Sequence, residues 1–179
     1  MNVSICDYGG GNIYSLRHAF ERLGARVRTD GAAEADLTVL PGVGSAAAAM
    51  RGLQERGLDG VLCDRVRDGR PVLGVCLGLQ LALESTDEDG GVRGLGLVPG
   101  RAVRLRAGRV PRIGWAKVDR YGSAFYFAHS YAADTTAATA FSEGLVAEAR
   151  AGSFLGVQFH PEKSGAAGAR YLASCLSRA

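Results

Sequence analysis

A chain of 179 residues, 47% hydrophobic and 22% charged, is long enough to bury a core and too mixed to be disordered, collagenous or membrane-embedded. Its size suits one domain over residues 1–179, and no apolar run nears the roughly 20 residues that a bilayer-spanning helix needs. A net charge of +3 arises from 21 basic and 18 acidic residues that are scattered rather than gathered into a patch, so nucleic acid is not an expected partner.

The opening MNVSICDYGG has no basic stretch leading into an apolar one, so no secretory signal is expected and the reading is cytoplasmic. Residues 2–6 are β-compatible and run into the glycine turn Gly9-Gly10-Gly11, after which residues 12–23 carry a helical pattern. Strands are expected at 26–29 and 37–40, a turn at Pro41-Gly42-Val43-Gly44, and helices at 45–56 and 59–69. Pro71-Val72-Leu73-Gly74-Val75 is a continuous apolar run suited to a strand buried on both faces of a parallel sheet, and a helix over 77–84 follows without pause. This alternation predicts an α/β domain of three layers, a mostly parallel sheet with helices on both faces. Later β runs at 102–105, 113–118, 124–128, 145–149 and 154–158 read as antiparallel additions at one edge in the C-terminal half, and a helix over 164–177 closes the chain.

Four cysteines, Cys6, Cys63, Cys76 and Cys175, are too few and too spread for a disulfide framework, and none stands at C-x-x-C spacing. Each is by default a small buried hydrophobe. Cys76 differs in its neighbours: Gly74-Val75-Cys76-Leu77-Gly78 stands where the apolar strand meets a helix. This is the G-x-nucleophile-x-G elbow with Cys in the place of Ser. Flanking glycines let backbone pass close to a strained turn, and a helix N-terminus favours the attacking thiolate. A buried cysteine beside packing glycines is the competing reading.

A thiol nucleophile needs a base, and the chain has three histidines. His18 lies within the first helix and reads as a surface or half-buried residue. His129, in YFAHSY, reads as structural or site-lining. His160 ends the apolar strand FLGVQF, at the strand end where open α/β sheets place ligands, and Glu162 stands two residues on. That carboxylate is placed to orient the imidazole, although His-x-Glu alone equally fits a structural ion pair. Oxyanion donors are expected from the N–H of Leu77 and from the Gly42–Gly44 segment. Neither glycine loop completes G-x-G-x-x-G, no Gly-Lys-Ser/Thr occurs, and no ligand spacing suggests a metal, so no metal or cofactor is expected.

GVCLGLQ around Cys76, PGVG at 41–44 and QFHPE at 158–162 resemble the signatures of class I, triad-type glutamine amidotransferases. Within that class DYGGGNI, IGW at 113–115, YFAHSY at 126–131 and HPEKSG at 160–165 resemble the glutaminase subunits of imidazole glycerol phosphate synthases. The resemblance runs from Asp7 to the last helix. It implies a flavodoxin-like α/β fold and hydrolysis of L-glutamine to glutamate and ammonia. Cys76 would attack the carboxamide, His160 would shuttle the proton, and Glu162 would orient His160. Gly42, Val43, Gly44 and Leu77 would form the oxyanion hole, with a flip of the Val43 peptide; Gln80 and the backbone of Ser130 and Tyr131 would hold the amino-acid end. Asn12, Trp115, Tyr126 and Lys163 would face a cyclase subunit in a heterodimer, through which ammonia is channelled in histidine biosynthesis.

The chain departs from the family pattern Pro-His-x-Gly-Trp-Asn, having Pro111-Arg112-Ile113-Gly114-Trp115-Ala116. Three other readings stay open from the residues: a glutaminase subunit of another pathway, such as pyridoxal phosphate or anthranilate synthesis; a cysteine α/β hydrolase that is no amidotransferase; and a non-catalytic interaction module. The hydrolase type sets a His close behind the elbow cysteine, where this chain has Leu77, and an intact Cys76, His160 and Glu162 speak against the module.

Overall fold

The computed structural model describes residues 1–10, 12–30, 34–106 and 108–179; Gly11 of the glycine turn lies outside them. In chain order the helices are α1 (Ile13–Arg22), α2 (Ala46–Glu55), α3 (Leu58–Arg67), α4 (Leu77–Ala82) and α5 (Gly165–Leu176). The first strands are β1 (Asn2–Ile5), β2 (Arg26–Arg28), β3 (Leu37–Leu40) and β4 (Val72–Val75). They are followed by β5 (Leu83–Thr86), β6 (Val92–Arg93), β7 (Val98–Arg104), β8 (Arg112–Val118) and β9 (Ser123–His129). The last are β10 (Tyr131–Asp134), β11 (Ala138–Ser142), β12 (Leu145–Ala151) and β13 (Phe154–Val157).

Seven strands form the main sheet in the order β11-β12-β13-β4-β3-β1-β2, among the described residues. From β2 to β13 every pairing is parallel, whereas β12 and β11 run antiparallel at one edge. The central strands β3, β4 and β13 are buried at every position, as continuous apolar runs must be when helices cover both faces. In β4 the period-2 alternation sends Leu73 and Val75 into one core with α1 and α5, and Val72 into the other with α2, α3 and α4. The expected mixed α/β architecture with a parallel-dominated sheet is therefore present.

Two expectations need correction. The helix predicted over 77–84 stops at Ala82, because the segment after β6 captures its last carbonyls: Leu95 N–H donates to Leu81 O at 2.8 Å and Leu97 N–H to Ala82 O at 2.8 Å. Leu83 turns extended (φ −68°, ψ 172°) and opens β5. The later strands also do not all extend one edge. Only β11 and β12 do so, and β13 is an inner parallel strand; β10, β7, β5 and β6 form a separate four-stranded sheet, and β8 and β9 a two-stranded ribbon. β13 differs from the others because FLGV is apolar throughout and can be buried on both faces.

Candidate active site

Cys76 joins β4 to α4 with φ 53° and ψ −106°, a left-handed conformation that a non-glycine residue adopts at a cost of order 1–3 kcal/mol. Its flanking glycines are required by distance. A Cβ on Gly78 would meet Leu40 O at 2.1 Å, and one on Gly42 would meet Gly78 N at 2.3 Å. Gly42, just beyond β3, is thereby pressed against Leu77 and Gly78. The Leu77 N–H belongs to the first turn of α4, whose N–H groups lack intrahelical acceptors. Gly44 has φ +102°, Val43 is 40% exposed, and the Tyr8 hydroxyl donates to Pro41 O at 3.0 Å, tying the loop after β1 to the start of this segment.

His160 follows Phe159 beyond β13, in the turn that leads to α5. Its N–H donates to Tyr126 O at 2.8 Å, its carbonyl accepts from Ser164 Oγ at 2.6 Å, and Ser164 Oγ also accepts from the Tyr126 N–H at 2.9 Å. With its backbone N–H and carbonyl both bonded, the imidazole Nδ1 donates to Glu162 Oε1 at 2.9 Å; the two side chains are 3% and 1% exposed. Burial alone would lower the His160 pKa. Hydrogen bonds and charge from Cys76 and Glu162 outweigh it and carry the imidazole up to about 9, so the ring holds its proton at neutral pH. Asn12 Nδ2 donates to the same Glu162 Oε1 at 3.3 Å.

Gln158, fully buried at the end of β13, donates through Nε2 to Cys76 Sγ at 3.5 Å and accepts at Oε1 from Gln80 Nε2 at 3.1 Å. Gln80 Nε2 also donates to Tyr131 O at 2.8 Å, and His129 Nδ1 donates to that same carbonyl at 2.9 Å. Burial pushes the His129 pKa down to about 4, so this ring is neutral, with Nδ1 carrying the proton. The Ser130 carbonyl accepts from Leu105 N–H at 2.9 Å, and the Cys76 thiol reaches Ala128 O at 3.8 Å. Cys76, His160, Glu162, Gln80, Ser130, Tyr131 and the Gly42–Gly44 segment are thus brought to one end of the parallel strands.

Four further residues were expected at the mouth. Trp115 is 59% exposed on the outward face of β8 and packs edge-on against Tyr126, its cross-strand neighbour, with ring centroids 6.1 Å apart. The Tyr126 ring lies 6.5 Å from that of His160, and Lys163 is exposed next to Glu162. Asn12 is half-buried, with its amide on the Glu162 carboxylate. Arg112 bonds Ser142 Oγ at 2.7 Å and Glu143 Oε2 at 2.9 Å and lies 4.1 Å above the Phe127 ring, so it ties the ribbon to the β11–β12 turn. Gln158, Ser164 and Tyr8 escape the sequence reading. The one readable signal among them is Gln158, a polar residue inside the apolar run FLGVQF. Among the described residues no cluster of three His, Cys, Asp or Glu could hold a metal ion, and no helix is long and apolar enough to cross a membrane.

A parallel-dominated sheet with a cysteine elbow at β4 and a buried His-Glu pair beyond β13 defines a class, and comparison agrees: residues 4–179 match the Glutamine amidotransferase class-I family, to which the chain belongs. Solved structures share the fold. A glutamine amidotransferase crystal structure superposes with a TM-score of 0.78 at 20% identity, covering 99% of both chains, and the PurLQS structure from Thermotoga maritima with 0.77 at 16%, covering 99% of this chain and 98% of that one. More narrowly, the chain is 42% identical to imidazole glycerol phosphate synthase subunit HisH of Thermus thermophilus, over 97% of its own length and 96% of that protein. It is 41% identical to the HisH subunit of Mycobacterium tuberculosis, again over 97% and 96%. It also matches the Arabidopsis thaliana chloroplastic synthase hisHF at 40% identity, over 93% of this chain and 32% of that one.

Proposed function

We propose that this chain is the glutaminase subunit of an imidazole glycerol phosphate synthase in histidine biosynthesis, with a single amidotransferase domain over 1–179 and a cyclase subunit as its heterodimer partner. The observation that carries the chemistry is convergence on Cys76: a strained elbow, a protonated His160 bonded to a buried Glu162, and Gly42 packed against Leu77. High identity to HisH subunits over nearly the whole chain supports the pathway.

In this reading the Cys76 thiolate attacks the carboxamide carbon of L-glutamine. The Leu77 N–H and the Gly42–Gly44 segment stabilise the tetrahedral oxyanion. His160 gives its proton to the leaving ammonia, leaving a thioester on Sγ. It then takes a proton from water, which attacks the thioester and releases glutamate, while Glu162 holds the imidazole in one tautomer throughout. Gln80 and the backbone at Ser130 and Tyr131 hold the substrate's amino-acid end. Asn12, Trp115, Tyr126 and Lys163 border the exit toward the cyclase, which joins the ammonia to a phosphorylated ribulosyl nucleotide and forms imidazole glycerol phosphate and aminoimidazole carboxamide ribotide.

The test is a glutaminase and synthase assay of the chain assembled with a barrel-type cyclase. Cys76→Ser is expected to lose glutamine hydrolysis by at least about 10³-fold, the scale set by removing a nucleophile that works as a unit with its base. Synthesis from added ammonium salt should persist. Normal hydrolysis by the variant would overturn the mechanism, and failure to activate or bind any such cyclase would overturn the pathway.

A further inference from the structure

Asn12 occupies the N-cap position of α1, a place where asparagine commonly bonds an N–H of its own first turn. Here the side chain makes no capping bond. Its amide reaches instead across 150 residues of sequence to Glu162 Oε1, at 3.3 Å. That oxygen takes both recorded bonds of the carboxylate, from Asn12 and from His160 Nδ1, while Oε2 is buried with no partner among the described residues. A carboxylate only 1% exposed is costly to bury unless donors surround it. Asn12 supplies one without adding a positive charge, so the full negative charge remains for the imidazolium.

We propose that Asn12 is a positioning residue for the reaction: its amide fixes the Glu162 carboxylate, and through it the His160 ring, and so couples the loop that opens α1 to the chemistry at Cys76. The inference rests on the amidotransferase reading above. Elements packed against the Glu162 turn are α1, β9 and α5. Their nearby ionisable side chains, Tyr14, Arg17 and His18, Tyr126 and His129, and Arg170 and Tyr171, make no recorded bond to the carboxylate, nor does the adjacent Lys163. Tyr14 is 77% exposed two residues after Asn12, so a partner seated on this helix end bears directly on the positioning amide.

The experiment measures glutamine hydrolysis against pH with the cyclase partner saturating, for the wild type, Asn12→Ala, Asn12→Gln and Glu162→Gln. Asn12→Ala should lower kcat about tenfold, the scale of one hydrogen bond to a charged group, with KM for glutamine little changed. The alkaline limb of its kcat/KM profile should move down, because a carboxylate that is less well fixed supports the proton on His160 less. Asn12→Gln, which keeps the amide, should recover part of both. If Asn12→Ala shows wild-type kcat and alkaline limb once the partner is saturating, while Glu162→Gln loses activity, Asn12 is only an interface residue and the proposal falls. If Glu162→Gln is itself fully active, the reading of the His-Glu pair is what fails.

Discussion

His129 and His160 have the same side chain, stand in the same pocket region and are held in opposite protonation states. His160 is paired with Glu162 and Cys76 and keeps its proton up to about pH 9; His129 donates Nδ1 to a carbonyl, is opposed by burial first and by the charges of Arg112 and His160, and resists protonation until about pH 4. Their effects on stability have opposite signs. An unfolded imidazole binds its proton near pH 6.5, so between 6.5 and about 4 the unfolded chain binds the proton that buried His129 refuses, and stability falls as pH drops through that window. The full span is worth about 3 kcal/mol. The raised pKa of His160 contributes stability that is fully present below 6.5 and is lost as pH rises through about 9. Urea midpoints against pH should therefore peak near neutrality, and His129→Gln should flatten the acid side alone; an unchanged acid slope would refute the assignment. The sequence makes Cys76, His160 and Glu162 legible because each stands at a strand end in a motif with few alternatives. It leaves His129 ambiguous, because a histidine ending a β run looks the same whether burial or a charge surrounds it.

At the scale of elements, the elbow is a packing problem solved by glycine. A Cβ on Gly78 would sit 2.1 Å from Leu40 O, which is backbone and cannot yield without separating β3 from β4. Gly78→Ala should cost about 3 kcal/mol or more by overpacking and abolish activity with it. Gly60, by contrast, lies in exposed α3 with nothing within 4 Å of its Cβ position and an ordinary φ. Gly60→Ala should add up to about 1 kcal/mol through helix propensity and leave activity unchanged. Urea unfolding of both variants beside the wild type checks the pair, and a stable Gly78→Ala would break the close-approach argument. The strand–turn–helix rhythm that frames this elbow is readable from periodicity alone. The end of α4 is not: Leu and Ala continue to favour helix past Ala82, and only the distant 94–97 segment, by taking the carbonyls of Leu81 and Ala82, ends it. The assignment of β13 to the middle of the main sheet is hidden for a related reason, since an apolar run shows that a strand is buried but not which strand lies beside it.

On the scale of the whole molecule, the β8–β9 ribbon pairs with neither sheet among the described residues; it buries Val118, Phe125 and Phe127 in the core and turns Ile113 and Trp115 outward. Ile113 and Trp115 are 64% and 59% exposed on alternate positions of β8, next to the Tyr126 ring that borders His160. No internal packing demands large apolar groups there, and exposed aromatics of this kind supply the anchors of protein interfaces. The ribbon is stiff enough to serve, because Arg112 bonds Ser142 and Glu143 across to the main sheet and covers Phe127. Where the family pattern has a histidine, this chain therefore keeps the ribbon in place by a longer side chain and a charge pair. With the cyclase as partner, Trp115→Ala should weaken association about 30-fold, equivalent to about 2 kcal/mol for a buried Trp anchor. The glutaminase rate at saturating cyclase should stay close to wild type, since Trp115 touches Tyr126 and not the bonded groups around Cys76. Titration of glutaminase activity with cyclase separates the two quantities. An unchanged half-saturation point would place the docking surface elsewhere, whereas a reduced plateau would mean that Trp115 acts through Tyr126 on the His160 ring rather than as an anchor.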